Sequence, residues 1–177
     1  MANLKSNPWS FLQTDVVTTT ITSLTLNTDT TVTAVVAATA AFAQGNPVTV
    51  ADNTSVAGLY NGFYVVKQIT NGTTMVLDQG NVPPFVPAGT GAGGATGSVS
   101  LCQYVNWVRA EDIKWDKVAA SAVLDIRDRN GNIVWQATQP STANVPPNWN
   151  RGKVYWINGL TLLSVGTAPS LLMITVN

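Results

Sequence analysis

Threonine makes up half of one stretch near the start of the chain. Between Thr14 and Thr33, ten of the twenty residues are Thr, and Val, Ile and Leu stand among them. β-Branched side chains are stiff about χ1 and fit the pleated, half-buried surface of a strand better than a helix. The alternation over 21–27 predicts strands with one apolar and one wet face, joined by a turn at 28–31.

Asn-Gly pairs and Pro- or Gly-rich stretches divide the rest of the chain into short segments. Asn61-Gly62 and Asn71-Gly72 flank an aromatic, Val-rich strand, and Asn158-Gly159 is predicted to join two more strands as a hairpin. Asn-Gly is the strongest short-range hairpin signal, because both residues tolerate the positive φ of a type I′ turn. We therefore predict an all-β protein of two small β-sandwich or β-barrel domains with Asn-Gly hairpin turns.

Charged residues are few and unevenly spread. They make up 10% of the 177 residues, whereas a typical soluble domain carries about 25%. Residues 1–108 hold two basic and four acidic side chains, while 109–177 hold seven and five. This change predicts a Thr-rich β-domain with an N-terminal arm at 1–103 and a C-terminal β-sandwich domain at 104–177. It also predicts that partners cover part of the Thr-rich domain, since a surface poor in charge is poorly soluble by itself.

Several classes of function are disfavoured by what the sequence lacks. There is no histidine and a single cysteine, Cys102, which argues against an imidazole base, a Ser-His-Asp triad, a disulfide within the chain or a Cys-based zinc site. A net charge of zero argues against a nucleic-acid partner. The N-terminus has no signal-peptide core, and the apolar run at 34–43 is too short to span a bilayer, so no membrane partner is expected.

Two motifs match known ligand-binding patterns, but their contexts do not. Residues 89–94 match G-x-G-x-x-G, yet a Pro-rich loop precedes them and a strand-like segment follows, where a dinucleotide site needs a strand and then a helix. Asp128, Asn130 and Asn132 space oxygen ligands like the start of a calcium loop. The Gly and Glu positions of an EF-hand are not met, and a hairpin turn explains the same residues.

Paired carboxylates are the remaining catalytic option, since a glycosidase needs only two. Glu111, Asp112 and Asp116 alternate with lysines in a self-neutralising segment, and Asp125 lies mid-strand near Arg127, which could pair with it. We predict no catalytic, cofactor-binding or metal-binding residue and no small-molecule substrate.

The tryptophans are the most informative side chains. Trp135 and Trp156 lie mid-strand and are predicted to be core. Trp115 lies in a charged segment and Trp149 in a rigid Pro-rich loop, so both are predicted to be exposed, and Trp9 suits an N-terminal arm that docks on a neighbour. Exposed aromatic side chains anchor protein interfaces or stack on sugars, and both alternatives stay open. The predicted interface residues are Trp9, Phe11, Trp115, Pro146, Pro147 and Trp149.

One third of the chain resembles a small β-domain that recurs in tailed-bacteriophage virion proteins. The resemblance covers about residues 45–101 and is carried by the segments 47–52, 59–66 and 73–77. The matching positions are Gly58, Asn61-Gly62, Thr73-Thr74, Leu77 and Gly97-Ser-Val99. The C-terminal part has a looser likeness to small phage structural domains.

The resemblance implies a virion component, assembled in the host cytoplasm, and transfers no catalytic residue. Small size, the absence of predicted long helices and a near-neutral surface favour a capsid decoration or cement protein. Such a protein would be a homo-oligomer bound to the major capsid protein or to other virion proteins across capsomer boundaries. A tail or head–tail neck component is an alternative, and a carbohydrate-binding module using Trp115 and Trp149 is a second.

Overall fold

The computed structural model of the protein describes residues 7–27, 29, 31–54, 60–79, 96–116, 121–139, 154–166 and 170–177. In this part of the chain there is one 3₁₀ turn, Gln13–Asp15, and no α-helix. The strand pairings are antiparallel, and the predicted all-β class is confirmed. The strands are β1 Trp9–Leu12, β2 Thr18–Leu26, β3 Val32–Val36, β4 Pro47–Ala51, β5 Gly62–Asn71, β6 Thr74–Asp78, β7 Ser98–Asp116, β8 Val123–Arg127, β9 Ile133–Thr138, β10 Tyr155–Val165 and β11 Leu171–Val176.

The chain forms two compact units. The N-terminal unit comprises 18–103 with 129–132, and the C-terminal unit comprises 1–17, 104–128 and 133–177. The predicted assignment of the N-terminal arm, which contains Trp9, to the N-terminal domain is wrong, because β1 pairs with β11 of the C-terminal unit. Trp9 and Phe11 alternate with Ser10 on β1, so both aromatic rings lie on one face and are buried in the C-terminal unit.

Six strands of the N-terminal unit pair in a closed circuit. β2 pairs with β3, β3 with β6, β6 with β5, β5 with β4, β4 with the start of β7, and β7 again with β2. Along β2, Ile21, Leu24 and Leu26 are buried, while the threonines of the strand are exposed except for Thr19. The predicted alternation of apolar and wet residues is therefore confirmed for this strand.

Side-chain oxygens hold the two hairpin turns of this unit that were predicted. Between β2 and β3, Asp29 accepts hydrogen bonds from the backbone N–H and the hydroxyl of Thr31, and Lys67 pairs with it at 3.2 Å. The Thr31 and Lys67 bonds lower the pKa of Asp29 to about 2. Between β5 and β6, Asn71 Oδ1 accepts from the N–H of Thr73 at 2.9 Å, so this turn is fixed by an Asx side chain.

The Asn61 side chain bonds to the backbone of Asn53, beyond the last paired residues of β4 and β5. Its amide accepts a hydrogen bond from the N–H of Asn53 at 2.9 Å and donates one to the carbonyl of Asn53 at 3.2 Å. The buried Asn53 side chain donates in turn to Thr96 O at 2.9 Å. Nearby, Tyr64 donates to Tyr60 O at 2.9 Å, and burial raises the pKa of Tyr64. The Asn-Gly signal at 61–62 therefore ends a ladder here rather than closing a two-residue hairpin.

The C-terminal unit pairs six strands in the order β1-β11-β7-β10-β8-β9. Its core is one apolar cluster drawn from β1, β7, β8, β10 and β11 together with Ala122, and Trp115 on β7 is the largest fully buried side chain among the described residues. The core residues are Trp9, Phe11, Val108, Ala110, Ile113, Trp115, Ala122, Leu124, Ile126, Ile157, Leu160, Leu162, Val165, Leu172 and Ile174.

The hairpin predicted at Asn158-Gly159 is wrong. β10 runs without interruption through both residues, and Gly159 keeps a φ of 78° inside the strand. A positive φ in mid-strand is typical of a bulge, which bends a strand without ending it. The flanking residues Ile157 and Leu160 are both buried, so burial of the two segments in one core explains why the strand continues.

Candidate functional site

The exposure predicted for Trp115 is wrong, and Trp9 and Phe11, predicted to dock on a neighbour, are buried in the core of the C-terminal unit. Trp9, Phe11 and Trp115 are 8%, 0% and 0% exposed. The indole N–H of Trp115 donates to Val165 O at 3.0 Å in the core. The charged neighbours of Trp115 misled the prediction because successive residues of a strand point to opposite faces, and Lys114 faces solvent. These three side chains offer almost no surface to a partner. The other predicted interface residues, Pro146, Pro147 and Trp149, lie outside the described residues.

Two other tryptophans are exposed instead. Trp107 on β7 is 62% exposed and Trp156 on β10 is 67% exposed, and these two strands are neighbours in the sheet. The core position predicted for Trp156 is therefore wrong, whereas Trp135 is half-buried and packs against the core cluster. A solvent-exposed tryptophan on a paired strand is typical of a protein interface or of a ligand-binding surface.

Exposed apolar side chains near the starts of β9 and β10 define the first candidate surface. The rings of Trp135 on β9 and Tyr155 on β10 pack with centroids 4.8 Å apart. Ile133, Val154 and Trp156, which lie within two residues of this contact along the chain, are all exposed. We call Ile133, Val154 and Trp156 the β9–β10 surface. β9 carries no charged residue, and β8 is its partner among the described strands.

The second candidate is a small cleft beside Trp107, which we call the aromatic cleft. The rings of Trp9 and Tyr104 pack at 5.0 Å with a tilt of 55°. The cleft has a volume of about 220 Å³ and is lined by residues of β1, β7 and β11 with the residue that follows β11. These residues are Trp9, Tyr104, Trp107, Val108, Arg109, Val176 and Asn177.

Polar groups at one side of the aromatic cleft are joined by an ion pair and hydrogen bonds. Arg109 pairs with Glu111 at 3.5 Å, and the Asn177 side-chain amide donates to the same Glu111 oxygen at 2.9 Å. The backbone N–H of Asn177 donates to Arg109 O at 3.1 Å. Asn7 fixes the end of β11 from the other side, since Val176 N donates to its amide oxygen at 3.0 Å. The cleft therefore combines a free aromatic face with oriented donors.

The N-terminal unit has two open depressions. One, of about 340 Å³, lies beside Val65, Lys67 and Asp78, and the other, of about 270 Å³, beside Phe63 and Arg129. In the second, the Arg129 guanidinium stands 5.4 Å from the centre of the Phe63 ring. The lining of these depressions includes no tryptophan, whereas the aromatic cleft is lined by two, Trp9 and Trp107.

The motifs considered for chemistry have structural roles where the chain is described. Residues 128–132 connect β8 to β9, as the hairpin alternative predicts, and Asp125 pairs with Arg127. No group of three His, Cys, Asp or Glu side chains in the described residues could hold a metal ion. The Gly-rich motif at 89–94 lies outside those residues.

Comparisons with protein-family models, with curated proteins and with solved structures found no match. In the part of the chain that the structure describes, no helix has the length and apolar character needed to cross a membrane.

Proposed function

We propose that this protein is a non-enzymatic structural component of a tailed-bacteriophage virion. Within that class we propose a capsid decoration or cement protein, a homo-oligomer that binds the major capsid protein across capsomer boundaries. We interpret the closed circuit of the N-terminal unit as a small β-barrel and the C-terminal unit as a sandwich-like domain.

The resemblance to phage virion domains is supported by where its residues lie. Gly62, Thr74 and Ser98 are the first residues of β5, β6 and β7, and Asn61, Thr73 and Gly97 directly precede them. The three motifs thus lie on strands of one closed circuit. Gly58 lies outside the described residues. A set of motifs that belongs to one domain type is expected to fall within one folding unit, as these do.

The observation that carries the docking role is the exposure of Trp156, 67% of its surface, within the β9–β10 surface. Tryptophan is enriched among the few interface residues that supply most of the binding free energy. Ile133 and Val154 are exposed apolar side chains as well, and we propose that they belong to the same docking surface, since exposed apolar patches mark interaction sites. The sequence predicts that partners cover part of the Thr-rich domain. The β9–β10 surface lies instead in the C-terminal unit, whereas the exposed side chains of β2 in the Thr-rich domain are polar threonines.

The proposed mechanism is stabilisation by mass action. A protein that binds the assembled shell but not free capsid subunits raises the free energy of disassembly, by about 2.7 kcal/mol at each site when its free concentration is 100 times Kd. Contacts across subunit boundaries make the binding depend on assembly. A neutral protein surface suits such contacts, because it needs no charge match with each neighbour.

Two alternatives predict different results. A tail or neck component would contact a unique vertex or the tail rather than the capsid lattice. A carbohydrate-binding module would bind saccharides as its main function. Its predicted platform Trp115 is buried, so for the described residues that alternative now depends on other side chains.

The experiment that tests the proposal compares phage particles with and without this protein. We expect particles that lack it to lose genome at a lower temperature and after milder osmotic shock. Unchanged resistance would remove the cement role, and a tail-assembly defect with normal heads would favour the tail alternative.

A matched pair of variants tests the docking surface. Trp156→Ser is expected to weaken binding to stripped particles by about 30-fold or more, since a hot-spot residue contributes at least about 2 kcal/mol. Trp107→Ser removes an equally large exposed ring from the neighbouring strand and is expected to leave particle binding unchanged. Equal loss in both variants would contradict the assignment of the β9–β10 surface.

A further inference from the structure

We propose that the aromatic cleft is a binding site for neutral saccharides, with the exposed face of Trp107 as the platform for a pyranose ring. This activity goes beyond the proposed structural role and uses different residues. It would let the protein attach reversibly to an uncharged glycan, such as a polysaccharide on a cell surface.

Trp107 supplies the flat apolar surface that such a ligand needs. Its side chain is 62% exposed while the next residue, Val108, is buried, so the strand on which it stands is anchored in the core. The face of an indole carries partial negative charge, and the axial C–H groups of a pyranose carry partial positive charge. Stacking of a sugar on the ring therefore combines apolar burial with weak C–H to π attraction.

The donors beside the ring are placed to bind hydroxyl groups. Glu111 is held by Arg109 at 3.5 Å and by the Asn177 amide at 2.9 Å. A guanidinium carries five N–H donors and an amide carries two, so both groups keep donors in addition to those that contact Glu111. Planar donors of this kind can bridge two adjacent hydroxyls, and their fixed orientation lowers the entropic cost of binding.

The charge of the cleft favours a neutral ligand. Arg109 is the basic residue and Glu111 the acidic residue of this network, and each offsets the other. An acidic polysaccharide would have to compete with Glu111 for the guanidinium, which is unfavourable without a second cation. The remaining lining groups are aromatic, aliphatic or amide side chains.

The size of the cleft and its lining residues distinguish this site from a protein-docking surface. At about 220 Å³ it is smaller than the pockets that enclose drug-sized ligands, roughly 300–1,000 Å³. The lining of the cleft beside Trp107 includes the polar side chains of Arg109 and Asn177, whereas the β9–β10 surface is defined by apolar side chains. One ring with polar neighbours fits a sugar better than the extended apolar centre of a protein interface.

The test is a titration of the purified full chain with cellohexaose, maltohexaose, xylohexaose, mannohexaose and N-acetylchitohexaose, followed by tryptophan fluorescence. We expect saturable quenching by at least one of them with a Kd on the order of 0.1–1 mM. Trp107→Ala is expected to weaken that binding by at least about tenfold, and Asn177→Ala by a smaller factor of about three. The matched control Trp156→Ala is expected to bind as the unaltered protein does.

Three outcomes would overturn the proposal. The first is no saturable signal with any of the five sugars up to about 10 mM. The second is an equal loss of sugar binding in the Trp107 and Trp156 variants. The third is tighter binding of polygalacturonate, titrated in parallel, than of the neutral sugars. A loss of particle binding in Trp107→Ala with no sugar binding would assign the cleft to a protein partner instead. Because the two tryptophans are tested in both assays, failure of this site leaves the capsid proposal to be judged on Trp156.

Discussion

Arg127 forms a two-pronged ion pair with Asp125, the residue two positions before it on β8. The Arg127 Nε and Nη2 atoms lie 2.6 and 2.9 Å from the two carboxylate oxygens, and Gln136 on β9 donates to the carboxylate at 3.1 Å. Residues two apart on a strand share a face, and here both are buried, at 5% and 8% exposure. The polar face of β8 is therefore buried, and its two opposite charges form a bidentate ion pair.

Removing one partner of this pair is expected to cost more than removing both. Asp125→Ala leaves a buried guanidinium without its counter-ion and is expected to lower the free energy of unfolding by about 3–5 kcal/mol. The double variant Asp125→Leu with Arg127→Met is expected to recover much of that loss, because apolar replacement removes both desolvation penalties. Urea denaturation of the single and double variants measures the difference. Additive losses would show that the pair is not coupled.

Trp115 is expected to behave as a core residue. Its ring is fully buried and its indole N–H satisfies the carbonyl of Val165. Trp115→Phe is expected to cost about 1–3 kcal/mol through the lost hydrogen bond, and Trp115→Ala about 3–5 kcal/mol through the cavity. Trp156→Ala, the exposed control, is expected to change the free energy of unfolding by less than about 0.5 kcal/mol. Similar small losses at both positions would contradict the placement of Trp115.

The turn at Asp29 is expected to make the N-terminal unit sensitive to acid. Hydrogen bonds from Thr31, then the bond from Lys67, lower the pKa of Asp29 from 3.8 to about 2. A carboxyl group whose pKa is lowered by folding stabilises the folded state above its unfolded pKa, and that contribution is lost as the pH falls from 3.8 towards 2. Carbon-detected NMR titration of Asp29 measures the pKa directly.

Two variants separate this effect from other acidic groups. Asp29→Asn removes the titration and is expected to flatten the dependence of unfolding free energy on pH between 4 and 2, the window set by the shift of Asp29. Lys67→Met removes the weaker of the two partners and is expected to raise the pKa of Asp29 only in part. A normal pKa for Asp29 in the unaltered protein would contradict the turn described here.

Gly97, just before β7, is expected to tolerate no side chain. Its φ is 93°, and a Cβ built there would lie 2.5 Å from Ala51 O and 2.7 Å from Asn53 N. Gly45 has a similar φ of 85° with nothing within 4 Å. Gly45→Ala is therefore expected to cost about 1–2 kcal/mol from backbone strain alone, and Gly97→Ala at least about 2 kcal/mol more. Thermal unfolding of both variants measures the gap, and equal losses would show that the contact with β4 relaxes easily.

Local patterns predicted the strands well and their connections less well. The alternation along β2 and the turn after Asn71 follow from neighbouring residues alone. Asn158-Gly159 has the same dipeptide as Asn71-Gly72 but lies inside β10, because burial of the residues on both sides keeps the strand paired. A dipeptide indicates where the backbone can take a positive φ, and tertiary packing decides whether a turn or a bulge uses it.

The candidate surfaces could not be predicted from single residues. Trp115 lies between charged residues on β7 and Trp156 lies on β10, which carries no charged residue, yet Trp115 is buried and Trp156 is exposed. Which face of β7 or β10 points inward depends on its partners β8 and β11, which are distant in sequence. Trp107 was not singled out because it lies near the predicted domain boundary, where the sequence pattern gave no strand register.

The most direct test of the virion proposal is a cryo-electron microscopy map of purified particles at side-chain resolution. We expect density for this protein at repeated positions on the outside of the head, with Trp156 within about 4 Å of capsid-protein side chains and Trp107 facing solvent. Absence of the protein from purified particles, or a head-bound protein whose β9–β10 surface faces solvent, would contradict it.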